Sequence, residues 1–338
     1  AMDVARYGDW ASTAYTNAKV RENYSRRFSI SFPNEALHAG QPLKPSPIYD
    51  LLSARGAQWG TAFGLEIPLW YAPDGVKDEF SWRRSTDFEH VAKEVKAVRE
   101  GVGLCETTSF AKYEVGGEGV EAFLDHLLAC RLPKAGRMAL APMLKEDGKL
   151  IGDFTVANLG GGKWMLFGSG VAEEYHMRWF EEYLPADGSV RVRARSAGLT
   201  GLAIAGPRAR GLLAKVTGAD VSNAAFPFMT IRKMHIGMGP ALVGRVSYTG
   251  DLGYELWIEP EYQRSVFNTL IAAGEEFGLG LFGSRALNAL RLEKNYASWA
   301  REYRPIYGPL EAGLDRFVAY GKGADFIGKK AALAEREN

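Results

Sequence analysis

The sequence predicts an α+β fold of mostly antiparallel sheets packed with helices. The β-rich runs come as hairpins with glycine-bearing turns, as in "DGKLIGDFTVANLGGGKWMLFGSG" and "ALVGRVSYTGDLGYELWIEP". Helical segments separate these hairpins and do not alternate one for one with strands, which argues against a doubly wound parallel sheet. Two hairpin-plus-helix units, around Asp153 and Tyr248, point to an internal duplication.

From the N-terminus, "ARYGDWASTAYTNAKVRENYSRRF" has helical spacing, and "SISFPNEALHAGQPLKPSPIYD" is extended and proline-rich, so residues 1–48 read as a connector. Residues 49–338 read as one compact domain. "PSPIYDLLSARGAQWG" is a short helix stopped by glycine. "STDFEHVAKEVKAVREGVG" is an amphipathic helix with Ser85 or Thr86 as its cap and Val91, Val95 and Val98 on one side. The strand "AKYEVGG" feeds the helix "VEAFLDHLLAC". The Gly160–Gly162 hairpin then leads to the helix "AEEYHMRWFEEYLP". "TGLAIAGPRARGLLAKVTG" is a buried strand, a turn and a short helix with Pro207 at its start. After the second hairpin come the helices "EYQRSVFNTLIAAGEEFG" and "SRALNALRLEKNYASWA".

Composition narrows the function. With a formal charge of +1 over 338 residues, the chain has no general field to attract nucleic acid or an anionic membrane. No apolar run approaches the ~20 residues of a membrane span. Cys105 and Cys130 lack metal-ligand spacing and read as buried small hydrophobes in a reducing compartment. The histidines His38, His90, His126, His176 and His235 have no metal spacing either, and His176 near Glu173 and Glu174 reads as ordinary surface charge. "VGGEGVEA" formally contains a dinucleotide fingerprint at Gly117, Gly119 and Ala122, but the following βαβ context is missing and a tight turn explains it better. "LGGGKW" reads as a hairpin tip before it reads as a phosphate cradle.

What remains is isolated polar residues in apolar strands. In "LIGDFTVANL", Asp153, Thr155 and Ala157 share one strand face while Phe154 and Val156 point the other way. An aspartate there is costly unless hydrogen-bonded. It is either a sheet-end turn residue or a carboxylate kept in a partly dry cleft for chemistry. In "SYTGDLGYELW", Gly250 and Gly253 make the turn, and Tyr248 and Glu255 are expected to meet across the hairpin. There the carboxylate could accept hydrogen bonds from adjacent N–H groups of a planar heterocycle, with tyrosine on its ring. Trp257 and Tyr254 read as packing.

At these residues the chain resembles the folate-binding domain of the glycine-cleavage T-protein (aminomethyltransferase) superfamily. "YTGDLGYELW", "GSRALNALRLEKNYASW", "PLEAGLDRFV" and "DFIGKK" follow in order, and "LKEDGKLIGDFTV" matches upstream, covering about Tyr49 to Ala332. "AGQPLKPSPIYDLLSARGAQWG", "IPLWYAPDG", "VREGVGLCETTSFAKYEVGG" and "RLEKNYASWAREYRPIYGPLEAGL" are most similar to the dimethylglycine and sarcosine dehydrogenases or oxidases.

The resemblance implies that Asp153 is the catalytic aspartate acting on the folate nitrogen. It implies that Tyr248, Glu255 and Thr155 bind the folate, and that Arg285 meets its acidic end. Arg291, six helix residues on, reads as structural. Two departures stand out: Leu140 occupies the place of a frequent tyrosine, and Gly152-Asp153 replaces the paired aspartates of T-proteins.

The implied reaction captures the one-carbon unit from oxidative N-demethylation of dimethylglycine- or sarcosine-like amines as 5,10-methylenetetrahydrofolate. FAD is then expected only on an N-terminal half or partner subunit, whose tail "AMDVARYG" resembles. The family's C-terminal β-barrel is expected to be absent, so the chain reads as a fragment or one subunit of a split enzyme. Cytoplasmic localisation is expected, or the mitochondrial matrix in a eukaryote. A folate-dependent O- or S-demethylase or aminomethyltransferase, and a non-catalytic folate-binding module, are the alternative readings.

Overall fold

The computed structural model describes residues 8–76 and 78–337. Of the "AMDVARYG" stretch, only Gly8 is among them. Helix α1 (Thr13–Ser25) buries none of its residues. The extended segment behind it is pinned through Glu66, a buried carboxylate that accepts from Leu43 N at 3.0 Å and Gln41 Nε2 at 2.9 Å. After α2 (Tyr49–Ser53), strands β1 (Ala57–Ala62) and β2 (Leu65–Tyr71) form a separate hairpin, followed by α3 (Asp87–Glu100) and β3 (Gly103–Glu106).

The remainder is one supersecondary pattern used twice. The first copy runs β4 (Ala111–Gly116), α4 (Val120–Leu127), β5 (Met138–Leu144), β6 (Leu150–Gly160), β7 (Lys163–Gly168), α5 (Glu173–Glu182) and β8 (Arg191–Ala194). The second runs β9 (Thr200–Ala205), α6 (Ala209–Val216), β10 (Ile231–Ile236), β11 (Gly239–Gly244), β12 (Gly253–Ile258), α7 (Pro260–Gly274) and β13 (Gly280–Leu281). Helices α8 (Ser284–Glu293) and α9 (Lys329–Glu337) follow.

The sheets repeat the correspondence. Their orders are β5-β6-β7-β4-β8 and β10-β11-β12-β9-β3-β13, so β3 is the one strand inserted into the second. Among the named strands of the described residues only β13·β3 pairs in parallel, and neither sheet closes into a barrel. The predicted fold class and the duplication are therefore both present.

Each sheet covers one face with its own helices. In the first, Tyr113, Phe154, Val156 and Leu166 pack with Phe123 and Leu124 of α4 and Phe180 of α5. In the second, Leu202, Ile204, Tyr254 and Leu256 pack under Leu212 of α6 and Phe267 of α7. The uncovered faces meet each other. Met138, Ala157, Met165 and Phe167 join Trp257 in one cluster, and the Phe167 and Trp257 rings stack at 3.8 Å with 13° between planes. The sheets are also tied edge to edge where Met138 N donates to Met229 O at 2.9 Å and Ile231 N to Gly136 O at 3.0 Å. Trp257 and the fully buried Tyr254 thus serve packing.

Several local expectations are corrected. Thr86 takes the N-cap position of α3 as expected, but its side chain does not cap, because Thr86 Oγ1 bonds to Glu79 O at 3.2 Å. His176 is not surface charge but fully buried. Gly117 is the predicted tight turn: its φ is +127°, and a Cβ there would lie 2.0 Å from Ser189 O. No helix among the described residues is long and apolar enough to cross a membrane.

Candidate functional site

Strand alternation decides which side chains enter the space between the sheets. On β6, Thr155 lies across from both Leu140 of β5 and Phe167 of β7, so Leu140, Thr155 and Phe167 line one face, with Asp153 two residues further along it. Phe167 stacks on Trp257, so this is the face toward the other sheet. On β12, Glu255 is two residues before Trp257 and shares its face, in a row with Gly244, Ala203 and Cys105. Asp153 and Glu255 therefore face the intersheet space from opposite walls.

Both carboxylates stand in a dry setting. Each keeps a little solvent access while protein surrounds it, as on the floor of a cleft. Burial pushes the Asp153 carboxyl up to about 7, countered only by its own backbone amide. Burial alone pushes Glu255 up to about 7, with no hydrogen bond or ion pair from the described residues to offset it. Buried carboxylates normally find donors. Glu94 shows the ordinary solution: it is also raised to about 7 by burial, but accepts from Tyr71 N at 2.7 Å and Gly283 N at 2.8 Å. Glu255 has no such role in the fold. Its free acceptor positions suit a ligand presenting N–H donors.

Tyr248 does not sit where the hairpin reading put it. Strand β11 ends at Gly244, which is the residue opposite Glu255, and Tyr248 belongs to the loop that follows. There its hydroxyl donates to Ala297 O at 2.7 Å, and its ring meets Phe110 edge-on at 6.0 Å. Burial raises its phenol to about 12, and the negative charges of Asp153 and Glu302 push the same way against Arg291. Tyr248 is thus a loop residue bonded to Ala297 O, not a strand residue paired across a hairpin with Glu255. The loop itself is clamped by Arg99, which donates to Asp251 Oδ2 at 2.6 Å and Glu293 Oε2 at 2.6 Å.

Arg285 is occupied elsewhere. At the start of α8 it pairs with Asp87 at 2.9 Å, lies 4.0 Å from Asp78 and donates to Asn34 O at 3.1 Å. Its charge acts on Asp78 and Glu94, and on none of Asp153, Tyr248 or Glu255. Arg291 is buried and structural as expected, bonded to Glu302 at 2.8 Å and Tyr296 O at 3.0 Å.

Behind Asp153, the residues that hold the strand were not legible in sequence. His176 Nε2 lies 3.0 Å from Ile151 O and Nδ1 lies 3.3 Å from Tyr113 Oη. Burial drives this imidazole down to about 3, so it is neutral. Gly152 makes room for it: a Cβ there would lie 2.6 Å from a Phe154 ring carbon and 2.9 Å from His176 Nε2. Tyr303 was also missed. Its phenol is raised to about 12, by burial first and the charge of Asp153 second. It stood within a quoted motif, but no periodicity or spacing marked it out.

Comparison with known proteins identifies the class of domain that these two sheets build. In the solved structure of glycine cleavage system aminomethyltransferase T from Bartonella henselae, 75% of that chain aligns with 87% of this one, at a TM-score of 0.73 and 25% identity. The chain is an aminomethyltransferase-type domain. The family model described as the GCVT N-terminal domain matches residues 48–322, and the chain belongs to that family. Residues 1–46 match a second model, the FAD dependent oxidoreductase central domain. Mitochondrial dimethylglycine dehydrogenase of Mus musculus is 37% identical over 98% of this chain and 38% of its own length. Aminomethyltransferase of Bacillus subtilis (strain 168) is 28% identical over 88% of this chain and 77% of its own. The chain thus spans well under half of the dehydrogenases it matches.

Proposed function

We propose that the chain binds tetrahydrofolate between its two sheets and uses it to capture a one-carbon unit released by oxidative N-demethylation of a dimethylglycine- or sarcosine-like amine. The product is 5,10-methylenetetrahydrofolate. The observation that carries this reading is Glu255, a carboxylate enclosed by the protein and left without a partner. Desolvating it without a protein partner costs stability that a ligand with N–H donors recovers.

Tetrahydrofolate supplies the nitrogen nucleophile that takes up the carbon. Glu255 fixes the pterin through its N–H groups, with Tyr248 and Thr155 beside it. Asp153, half ionised near pH 7, accepts or holds the proton at the reacting nitrogen and stabilises positive charge there. The stacked Phe167–Trp257 pair keeps that space dry, which slows loss of the carbon to water. Arg285 would meet the acidic tail of the ligand only by giving up Asp87.

In this reading residues 1–48 are a connector and 49–338 the folate domain. FAD belongs to another part of a longer protein or to a partner subunit. The match of residues 1–46 supports that arrangement. The compartment is the cytoplasm, or the matrix in a eukaryote. Calorimetric titration of tetrahydrofolate into the wild type and Glu255→Ala tests the site: the variant is expected to lose at least ~10-fold in affinity. Equal binding by the two would remove Glu255 and the site built on it.

A further inference from the structure

Strand β6 breaks its own alternation just before Asp153. Met143 of β5 lies opposite Gly152 and Leu144 opposite Leu150, so Ile151 has no partner across the pair and the strand bulges there. Core packing carries the same break. Ile151 and Phe154 both enter the helix-covered core of the first sheet, although strict alternation would put residues three apart on opposite faces. Beyond the bulge the alternation restarts, and Asp153, Thr155 and Ala157 follow one another on the face toward the second sheet.

His176 is the side chain that meets this bulge. It is the fourth residue of α5, is fully buried, and its Nε2 lies 3.0 Å from Ile151 O. A carbonyl oxygen accepts and cannot donate, so Nε2 carries the proton. The neutral ring then offers Nδ1 to the Tyr113 hydroxyl at 3.3 Å. The Phe154 ring closes on the imidazole at 4.7 Å and the Trp299 ring at 5.7 Å.

The second copy of the repeated unit does without this arrangement. Gln263 is likewise the fourth residue of its helix, α7, and likewise fully buried. Its Nε2 turns instead to Thr108 Oγ1 at 3.5 Å, and its Oε1 has no partner among the described residues. Strands β10 and β11, the counterparts of β5 and β6, pair without a register shift. The bulge and its histidine therefore occur together in the copy that carries Asp153, and the repeated pattern does not require them.

We propose that His176 is a positioning residue for Asp153: by holding Ile151 O it fixes the bulge, and the bulge turns the Asp153 carboxylate into the cleft. Without that hold the strand is free to slip by one residue, which turns Asp153 toward the helix-covered core and Phe154 into the cleft. The inference rests on the folate-site reading for the use made of Asp153, but not for its test.

The test is the titration of Asp153 followed by NMR in protein labelled with carboxyl-13C aspartate, with Asp153→Asn used to assign the signal. Tyr248 and Tyr303, the phenols that the charge of Asp153 reaches, are both raised to about 12 and do not titrate beside it. The Asp153 midpoint is expected to move by at least ~1 pH unit in His176→Leu, which fills the space without a donor. It is expected to stay near the wild-type value in His176→Gln, whose amide N–H reaches about as far as Nε2. An unmoved midpoint in His176→Leu overturns the proposal. So does an equal shift in His176→Gln, which would show that the imidazole serves packing alone. A measurement on the wild type stands apart from how the variants fold: 15N-histidine NMR is expected to find His176 neutral with its proton on Nε2, and a proton on Nδ1 overturns the assignment. Calorimetry on Glu255→Ala separates the two ideas. If that variant binds tetrahydrofolate as the wild type does, the folate-site reading fails, whereas an unmoved Asp153 midpoint fails the His176 assignment alone.

Discussion

Replacing Glu255 with glutamine is expected to stabilise the protein at high pH and leave its relative stability almost unchanged at low pH. The carboxyl rises from 4.5 to about 7 on folding because burial opposes its charge and no donor compensates. At about 1.4 kcal/mol per pH unit, the ionised side chain costs the folded state roughly 3 kcal/mol above pH 7. The sign follows from proton counts. Between pH 4.5 and about 7 the folded chain holds a proton that the unfolded chain has lost. Stability from this group is therefore whole below pH 4.5 and lost as pH rises through 7.

Glutamine keeps the shape and cannot ionise. Any cost of its unpaired amide is the same at both pH values and cancels in the comparison. Thermal unfolding of wild type and Glu255→Gln, followed by circular dichroism at pH 5 and pH 8, reads the effect. The Tm difference is expected to shift in the variant's favour by roughly 5 °C between the two, taking about 2 °C per kcal/mol for a chain of this size. A Tm difference independent of pH would show that Glu255 has a partner in solution, and the argument for a ligand carboxylate would fall with it. The gain should also be opposed by lost tetrahydrofolate affinity, as expected where a binding site is held at the expense of stability.

Other outcomes follow from the same geometry. In the intact enzyme, Asp153→Asn is expected to leave amine oxidation largely unchanged while free formaldehyde increases in the presence of folate; unaltered trapping of the carbon would take Asp153 out of the reaction. Gly152→Ala drives a methyl group into Phe154 and His176 and should lower the urea midpoint by an amount worth about 1–3 kcal/mol, a tolerated alanine showing that the strand has room to move. Lys322, almost wholly buried, donates to Asp125 Oδ1 at 2.9 Å and to Leu128 O at 2.7 Å past the end of α4. Lys322→Met leaves these acceptors unpaired and should cost about 3 kcal/mol in chemical unfolding, with a loss under 1 kcal/mol contradicting the capping role.

The elements of the fold and the face of the strand that carries Asp153 were legible because they depend on neighbours in the chain. Alternation placed Asp153 and Thr155 on one face, glycines marked the hairpin at Gly160–Gly162, and helical spacing located α3 through α8. Register was not legible. The loop between β11 and β12 begins at Arg245, so Tyr248 lies in it and Gly244 faces Glu255. Nothing in the local pattern distinguishes a long loop from a tight hairpin when the residues between are neither strongly polar nor strongly apolar.

By itself the amino-acid order determined the α+β class, the repeated hairpin unit and the two carboxylates worth watching. Only the tertiary structure decided what those carboxylates face. Sheet-on-sheet packing through Phe167 and Trp257 encloses Asp153 and Glu255. The same fold ties Arg285 to Asp87 by charge and to Asn34 O by a hydrogen bond, and brings Tyr303 from beyond α8 to the side of β6. Desolvation and hydrogen-bond pairing depend on groups far apart in the chain. A carboxylate's proton affinity, and whether its acceptors are free for a ligand, are therefore set only when the sheets close on each other.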